Sequence, residues 1–395
     1  MALKDITQAD LKGKRVIARF DFNVPLDKKD RSKITDTTRV DLALETIQYL
    51  LDNEVSKLVL MSHLGRPDGE VNLDYTLEPV ANYLAEKLGE EVLFTEAAVD
   101  VGVKELLTLN STKIVLLQNL RFHPEETANE DSFSQKLSEY ADIYVNDAFG
   151  AAHRKHASTH GINKFFSGRA YAGLLLKKEI EALDKILKTP TKPFVAVVGG
   201  AKVSDKIKTI EKLMISTSNL IIGGAMAYPF LKAKGHEIGK SLCSDEDVKL
   251  AQSIIRADKG GKLVLPTDHI VSSEFGGKPE SCDTIAIPED KMGLDIGPKS
   301  IEHFSRILKG AKTILWNGPM GAFDLDDYNK ATFALCETMA KTDAFTLVGG
   351  GDSVSAVNKS GYAEKFSHVS TGGGASLEYI EKGELPGVQA LKFGV

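Results

Sequence analysis

The sequence predicts an α/β protein with two doubly wound, parallel-sheet, Rossmann-like domains joined by a helical hinge. Three observations carry this. Short apolar runs rich in Val and Ile alternate with helical patterns from end to end. Those runs are continuous rather than alternating, as strands buried on both faces are. A chain of 395 residues also exceeds what one ordinary core holds.

Taken in order, the first domain (1–173) is expected to use strands at 15–20, 57–61, 91–94, 113–117 and 142–145. A helix over 37–53 places Val40, Ala43, Leu44, Ile47, Leu50 and Leu51 on one stripe, with Asp36 or Thr37 as its cap. Residues 174–188, LLLKKEIEALDKILK, read as one amphipathic connecting helix, stopped by Thr-Pro-Thr-Lys-Pro at 189–193. The second domain (189–379) is expected to use strands at 194–198, 220–222, 263–265, 313–316 and 345–348, and a helix over 203–216. The two halves share architecture without a strong sequence repeat.

The bulk numbers narrow the function classes. A net charge of -6 argues against nucleic acid as the main partner. Three cysteines without a CxxC exclude a disulfide framework and a structural zinc site, and suit a reducing cytosol. No run of about 18 apolar residues is present to span a membrane, and no signal peptide is read at the N-terminus.

Arginines and paired glycines occupy opposite halves. Eight of ten arginines precede residue 170, and all six runs of two or more glycines follow residue 190. Arginine binds carboxylate and phosphate through forked hydrogen bonds. Glycine at a strand-to-helix turn lets backbone N–H groups approach a polyphosphate. One half therefore suits a small anion and the other a nucleotide.

In parallel sheets, ligands bind at the carboxyl ends of strands. The first half places Asp21 and Asn23, His63 and Arg66, and Arg121 just after strands, with His153-Arg154 further along the segment that follows the strand at 142–145. Arg39 falls in the first turn of a helix, where a cation opposes the macrodipole by ~0.3–1 kcal/mol unless an anion sits nearby. Arg39, His63, Arg66, Arg121 and Arg154 are expected to converge without internal counter-charges, which a multiply charged ligand would resolve. Arg15, Arg19, Arg31 and Arg169 read as structural or solvated.

The second half places Gly199-Gly200 after one strand, then Lys202 and Lys206 on one face of the expected helix. Another strand ends in Gly349-Gly350-Gly351-Asp352-Ser353, in which Asp352 suits Mg²⁺ held jointly with phosphate oxygens. Gly223-Gly224 and the segment 317–324 fit the same rim, and Met226 or Phe323 could wall a flat base. A second triple glycine, Gly372, Gly373 and Gly374, could be a phosphate loop, a hinge, or both. Neither GxxxxGK[ST] nor GxGxxG is present.

Together these motifs resemble the phosphoglycerate kinase family over essentially the whole chain. The segments are RFDFNVP, SHLGRP, QNLRFH, VNDAFGAAHRKHAS, VVGGAKVSDKI, LWNGPMGAFD, VGGGDS and STGGGASLEYI, in that order. The resemblance implies reversible phosphoryl transfer between 1,3-bisphosphoglycerate and ADP, giving 3-phosphoglycerate and ATP with Mg²⁺, in a cytosolic, glycolytic monomer. It implies that Asp21, Asn23, Arg39, His63, Arg66, Arg121 and Arg154 contact the glycerate. Lys202, Lys206, Gly293 and Gly350–Ser353 would contact the nucleotide, with Asp352 near the metal. It also implies domain closure during transfer and a tail after about 380 that returns to the first domain. Where the family carries Glu against the ribose, this chain has Asp324, one methylene shorter. The competing readings are a nicotinamide dehydrogenase, which lacks its fingerprint and leaves the arginines unexplained, and a non-catalytic anion-binding protein.

Overall fold

The computed structural model describes residues 2–109 and 111–394. The chain divides into two compact units, residues 1–181 with 384–395, and residues 182–383. The division falls inside the helix Leu174–Leu187, whose span meets the sequence expectation to within a residue.

The first unit is built on six parallel strands: β1 (Arg15–Arg19), β2 (Lys57–Met61), β3 (Val92–Phe94), β4 (Ile114–Leu116), β5 (Ile143–Asn146) and β6 (Ala170–Ala172). Their order is β3-β4-β2-β1-β5-β6, so the winding reverses at β1/β5. Strands β2, β4 and β5 are buried along their whole length, which is why 58–61, 114–116 and 143–145 are unbroken apolar runs. The helix Thr38–Asp52 buries Val40, Ala43, Ile47, Leu50 and Leu51 against this sheet's core. Its start is fixed by Asp36, whose carboxylate accepts bonds from the Thr38 N–H and hydroxyl.

The second unit carries β7 (Phe194–Val198), β8 (Asn219–Ile222), β9 (Leu263–Val264), β10 (His269–Ser272), β11 (Glu280–Cys282), β12 (Met292–Ile296), β13 (Thr313–Asn317), β14 (Phe345–Gly349) and β15 (His368–Val369). Six form a parallel sheet in the order β15-β14-β13-β7-β8-β9. Numbered within that sheet, this is the dinucleotide-fold order 3-2-1-4-5-6, with its switch point at β7/β13. The remaining three form an antiparallel sheet, β11-β10-β12, that the sequence reading did not anticipate.

One buried carboxylate makes a testable statement about stability. Asp147, just past β5, accepts a 2.9 Å bond from Leu176 N near the start of the helix Leu174–Leu187, while its Oδ2 has no partner. Burial pushes its carboxyl up to about 6, against the opposing bonds from Leu176, Thr46 and Leu175. The folded state therefore holds a proton that the unfolded chain releases near pH 4. Stability falls as pH rises from about 4 to 6, by about 3 kcal/mol for this group. In urea denaturation, Asp147→Asn should gain relative to the parent by about that amount over this window. A stability difference independent of pH would overturn the assignment.

Candidate active site

In the first unit the carboxyl ends of β1, β2, β4 and β5 gather most of the cations named from the sequence. Arg39 extends from the first turn of its helix to Asp21 (Nη1 to Oδ2, 3.3 Å) and to the Asn23 carbonyl (3.1 Å). The Asn23 side-chain oxygen accepts from Gly65 N at 2.8 Å, and Arg121 donates to the Gly65 carbonyl at 2.8 Å. Three strand-end loops are thus pinned to one another around Gly65.

Arg121 is buried, and its Nε has no hydrogen-bond partner. Burial, then the like charges of Arg19 and Arg154, push its guanidinium down to about 10, so it stays cationic. Arg154 is exposed and donates to His153 Nε2 at 3.2 Å. Arg66 is exposed beside Gly65, and no described side chain holds it in an ion pair.

One expectation for this cluster narrows and one needs correction. Arg19, read as structural or solvated, is structural: it is fully buried within the cluster. It donates to Ser158 Oγ at 2.9 Å and lies 3.0 Å from His63 Nδ1. Guanidinium can only donate. His63 Nδ1 therefore accepts, the ring proton sits on Nε2, and His63 is a neutral donor. Burial and then Arg19 hold its pKa well below the ordinary range. The cluster also has internal counter-charges. Glu126, fully buried, accepts from Ser158 N and Oγ (2.9 and 2.6 Å) and is felt by Arg19, and Asp21 holds Arg39. Arg19 was readable by the same strand-end criterion as the others, since it is the last residue of β1. Glu126, on a short helix away from any strand end, carried no such signal.

In the second unit, the ends of β7, β13 and β14 are in register: Val198 pairs with Asn317, and Asn317 with Gly349. The Lys206 ammonium reaches the Gly199 carbonyl at 2.7 Å and the Asn317 carbonyl at 3.2 Å. Burial pushes it down to about 8 although Asp352 and Asp205 oppose the shift. Lys202 and Lys206 do not share a helix face as expected. The helix begins only at Ile207, and both lysines lie in the turn before it, Lys202 exposed. Val203 matched the apolar stripe because it is buried, but within a turn.

Asn317 is buried, and neither polar atom of its side chain has a partner. A neutral amide gave no charge signal in the sequence. Beside it, Gly350 (φ 92°) caps the helix Gly351–Ser360, which begins Gly351-Asp352-Ser353. The helix Gly373–Lys382, capped by Gly372, abuts it: a Cβ on Gly373 would stand 3.5 Å from Gly351 N. Two ten-residue helices thus direct their positive ends at one spot. Ser353 accepts from Gly318 N at 2.5 Å, and Gly318 (φ 105°) leaves no room for a side chain against Gly199.

Next to this spot opens a cavity of about 710 Å³. Gly200, Gly293, Asp324 and Asp352 line it, with Leu242, Phe275, Met292, Leu294 and Phe323 among its apolar walls. Phe323 takes the wall position expected of it. Met226 does not: it is fully buried in the core. Gly199, Gly223 and Ser353 sit one layer behind, with Gly223 against Met320. Gly293 is held by a 2.9 Å bond from its N–H to Ser241 Oγ. Asp324 is largely exposed, 3.5 Å from Lys359 Nζ.

Comparison with known proteins places the chain in a family. The family model for phosphoglycerate kinase matches residues 6–383. The chain belongs to the phosphoglycerate kinase family. The phosphoglycerate kinase of Borrelia turicatae (strain 91E135) is 47% identical over 397 residues, covering 99% of this chain and 100% of that one. That of Anaeromyxobacter dehalogenans (strain 2CP-C) is 48% identical over 402 residues, covering 99% and 100%. The structure of phosphoglycerate kinase from Coxiella burnetii superposes with a TM-score of 0.89 at 37% identity, over 99% of this chain and 98% of that one. The crystal structure of phosphoglycerate kinase from Pyrococcus horikoshii OT3 gives 0.83 at 30%, over 99% of both. The chain is accordingly a phosphotransferase, and these matches favour neither a dehydrogenase nor a non-catalytic binder.

Proposed function

We propose that this phosphoglycerate-kinase-family chain transfers a phosphoryl group reversibly between 1,3-bisphosphoglycerate and ADP, giving 3-phosphoglycerate and ATP. In this reading the first unit holds the glycerate and the second the nucleotide. The observation that carries it is the meeting of Lys206, the unpartnered Asn317 amide and two helix N-termini beside an apolar cavity at the β7/β13 switch point. That set suits a polyphosphate attached to a flat, apolar-faced base.

In the ATP-consuming direction the glycerate carboxylate attacks the γ-phosphorus in line, and the bond from that phosphorus to the β,γ-bridging oxygen breaks to release ADP. Catalysis is then mainly positioning and charge stabilisation. Arg39 and Lys206 would hold the equatorial oxygens, with Lys202 and the N–H groups of Gly372–Gly374 assisting. Arg66, Arg121 and Arg154 would hold the distal phosphate, to which His63 donates its Nε2 proton. Asp21 and Asn23 would bind the hydroxyl side. Gly293 and Asp324 would contact the base and ribose, with Gly350–Ser353 and Gly199-Gly200 near the phosphates.

The exposed carboxylate of Asp352, at a helix N-terminus and within electrostatic reach of Lys206, fits Mg²⁺. Mg²⁺ is commonly held by one or two carboxylates together with substrate phosphates. When bound it would neutralise phosphate charge.

The reading includes a cytoplasmic, monomeric enzyme of glycolysis. Among the described residues no helix is long and apolar enough to cross a membrane. A coupled assay with ATP and 3-phosphoglycerate tests the reaction directly. Turnover dependent on both substrates is expected, and ligand binding without turnover would sink the reading. Lengthening one carboxylate tests the ribose assignment: Asp324→Glu should lower the KM for ADP and leave that for 1,3-bisphosphoglycerate unchanged. An unchanged KM for ADP would remove Asp324 from the site.

A further inference from the structure

The nucleotide cavity has one wall made of loop rather than sheet or helix. Residues 320–323, after β13, contribute Gly321, Ala322 and Phe323 to the lining, facing Met292, Gly293 and Leu294 of β12. A loop wall must be held from behind if the cavity is to keep its width. Behind it stands Asp295, one residue beyond the lining of β12 and almost fully buried.

The Asp295 carboxylate makes three contacts. Oδ1 accepts from Ile296 N at 2.9 Å, within its own strand. Oδ2 accepts from Ala331 N at 3.1 Å, at the start of the helix Lys330–Ala340. That helix has no cap of its own, because the side chain of Asn329 makes no capping bond. The third contact is steric: a Cβ on Gly321 would lie 2.4 Å from Asp295 Oδ1, so the loop backbone rests directly on the carboxylate. The capped helix then ties the loop a second time, through Thr332 Oγ1, which accepts from Met320 N at 3.0 Å. The strand ties it a third time, since the Leu294 carbonyl accepts from Ala322 N at 2.8 Å.

We infer that Asp295 is a positioning residue for nucleotide binding: it caps the helix Lys330–Ala340 and, with Thr332 on that helix, fixes the 320–323 wall of the cavity. The inference rests on the assignment of this cavity to the nucleotide. It predicts an effect confined to the nucleotide, because the three Asp295 contacts all lie within the second unit.

The same unit supplies its own control. Asp268 is also fully buried and also caps a helix from outside it, accepting from Lys299 N (2.8 Å) and Ser300 N (2.7 Å) of the helix Pro298–Lys309. It too has a glycine resting on it, Gly297, at 2.3 Å from the position of a Cβ. Neither Asp268 nor Gly297 lines the cavity. A purely structural role would make the two aspartates equivalent.

The test is steady-state kinetics of the full chain, varying ADP and 1,3-bisphosphoglycerate separately. Asp295→Asn keeps the shape but replaces one acceptor with a donor facing an N–H. It should raise the KM for ADP about tenfold, with kcat and the KM for 1,3-bisphosphoglycerate within twofold of the parent. Asp268→Asn should leave all three within twofold. Thr332→Val removes the second tie isosterically and should raise the KM for ADP severalfold, which gives a reading even if Asp295→Asn fails to fold. Leu242→Asp, on the lining itself, checks the cavity assignment and should also raise the KM for ADP. If Leu242→Asp leaves that KM unchanged, the cavity assignment fails and this inference with it. If Leu242→Asp raises it while Asp295→Asn and Thr332→Val do not, or if Asp268→Asn matches Asp295→Asn, the positioning role alone is overturned.

Discussion

Replacing Lys206 with Met should lower kcat by about 10²–10³, the usual cost of losing one preorganised donor to a transition state. The structure explains why even arginine should not stand in. The ammonium is held by the Gly199 and Asn317 carbonyls, which use two of its three N–H donors. The third remains for a phosphoryl oxygen. A Cβ on Gly318 would lie only 2.7 Å from Nζ, so the bulkier guanidinium of Lys206→Arg does not fit and should rescue little. Stability should move the other way. Burial pushes the Lys206 ammonium down to about 8. The unfolded chain binds that proton more tightly between about pH 8 and 10.5, so the charge costs the folded state about 3 kcal/mol below pH 8 and less as pH rises through the window. Lys206→Met removes this cost and leaves the Gly199 carbonyl without its ammonium partner, a loss of about 1–3 kcal/mol. The variant should therefore be as stable as the parent, or more so, at pH 7 while nearly inactive. A fall in kcat below fivefold, in a variant shown by circular dichroism to be folded, would remove Lys206 from the transferring group.

That Lys206 could be named from sequence at all follows from topology. In a parallel sheet the strand-end loops share an edge, so a charged or glycine-rich loop after a buried apolar run is already placed. Asp21, Asn23, Arg121, Gly200 and Asp352 were legible in this way, and the runs themselves were legible because burial on both faces leaves them unbroken. What was not legible had weak or contrary local signals. β11 has three residues, two of them exposed, so its Glu-Ser-Cys reads as loop, and in β12 Gly293 and Asp295 interrupt the apolar run. Asn317 is uncharged and sits within a motif whose glycines attract attention first. Arg19 ends a buried strand, so its position was legible, but what it holds shows only in Ser158, Glu126 and His63 around it. The helix after β7 was started four residues early, because Val203 is buried in a turn and periodicity cannot tell a buried turn residue from a helical one.

Arg39→Ala should reduce kcat by about 10²–10³ and change folding stability by less than about 1 kcal/mol. The two halves of that statement come from one position. Arg39 is in the first turn of the helix Thr38–Asp52, where a cation is unfavourable by ~0.3–1 kcal/mol. Its pair with Asp21 is partly exposed and contributes a similar amount of the opposite sign. Removing the side chain therefore nearly cancels in the folded state. The guanidinium uses only Nη1 on Asp21 and Asn23, at 3.3 and 3.1 Å, which leaves Nε and Nη2 for a substrate oxygen. Arg39→Lys keeps the charge but not the fork, so it should recover less than a tenth of the lost rate. Asp21→Asn separates the two roles of the pair. It loosens Arg39 and weakens hydroxyl binding, so the KM for 3-phosphoglycerate should rise several-fold while kcat falls much less than in Arg39→Ala. Near-normal turnover in Arg39→Ala, or equal losses of kcat in the two variants, would show that Arg39 serves the ground-state site alone. The transferring phosphoryl group would then have to be held from the nucleotide side, by Lys206, Lys202 and the two helix N-termini.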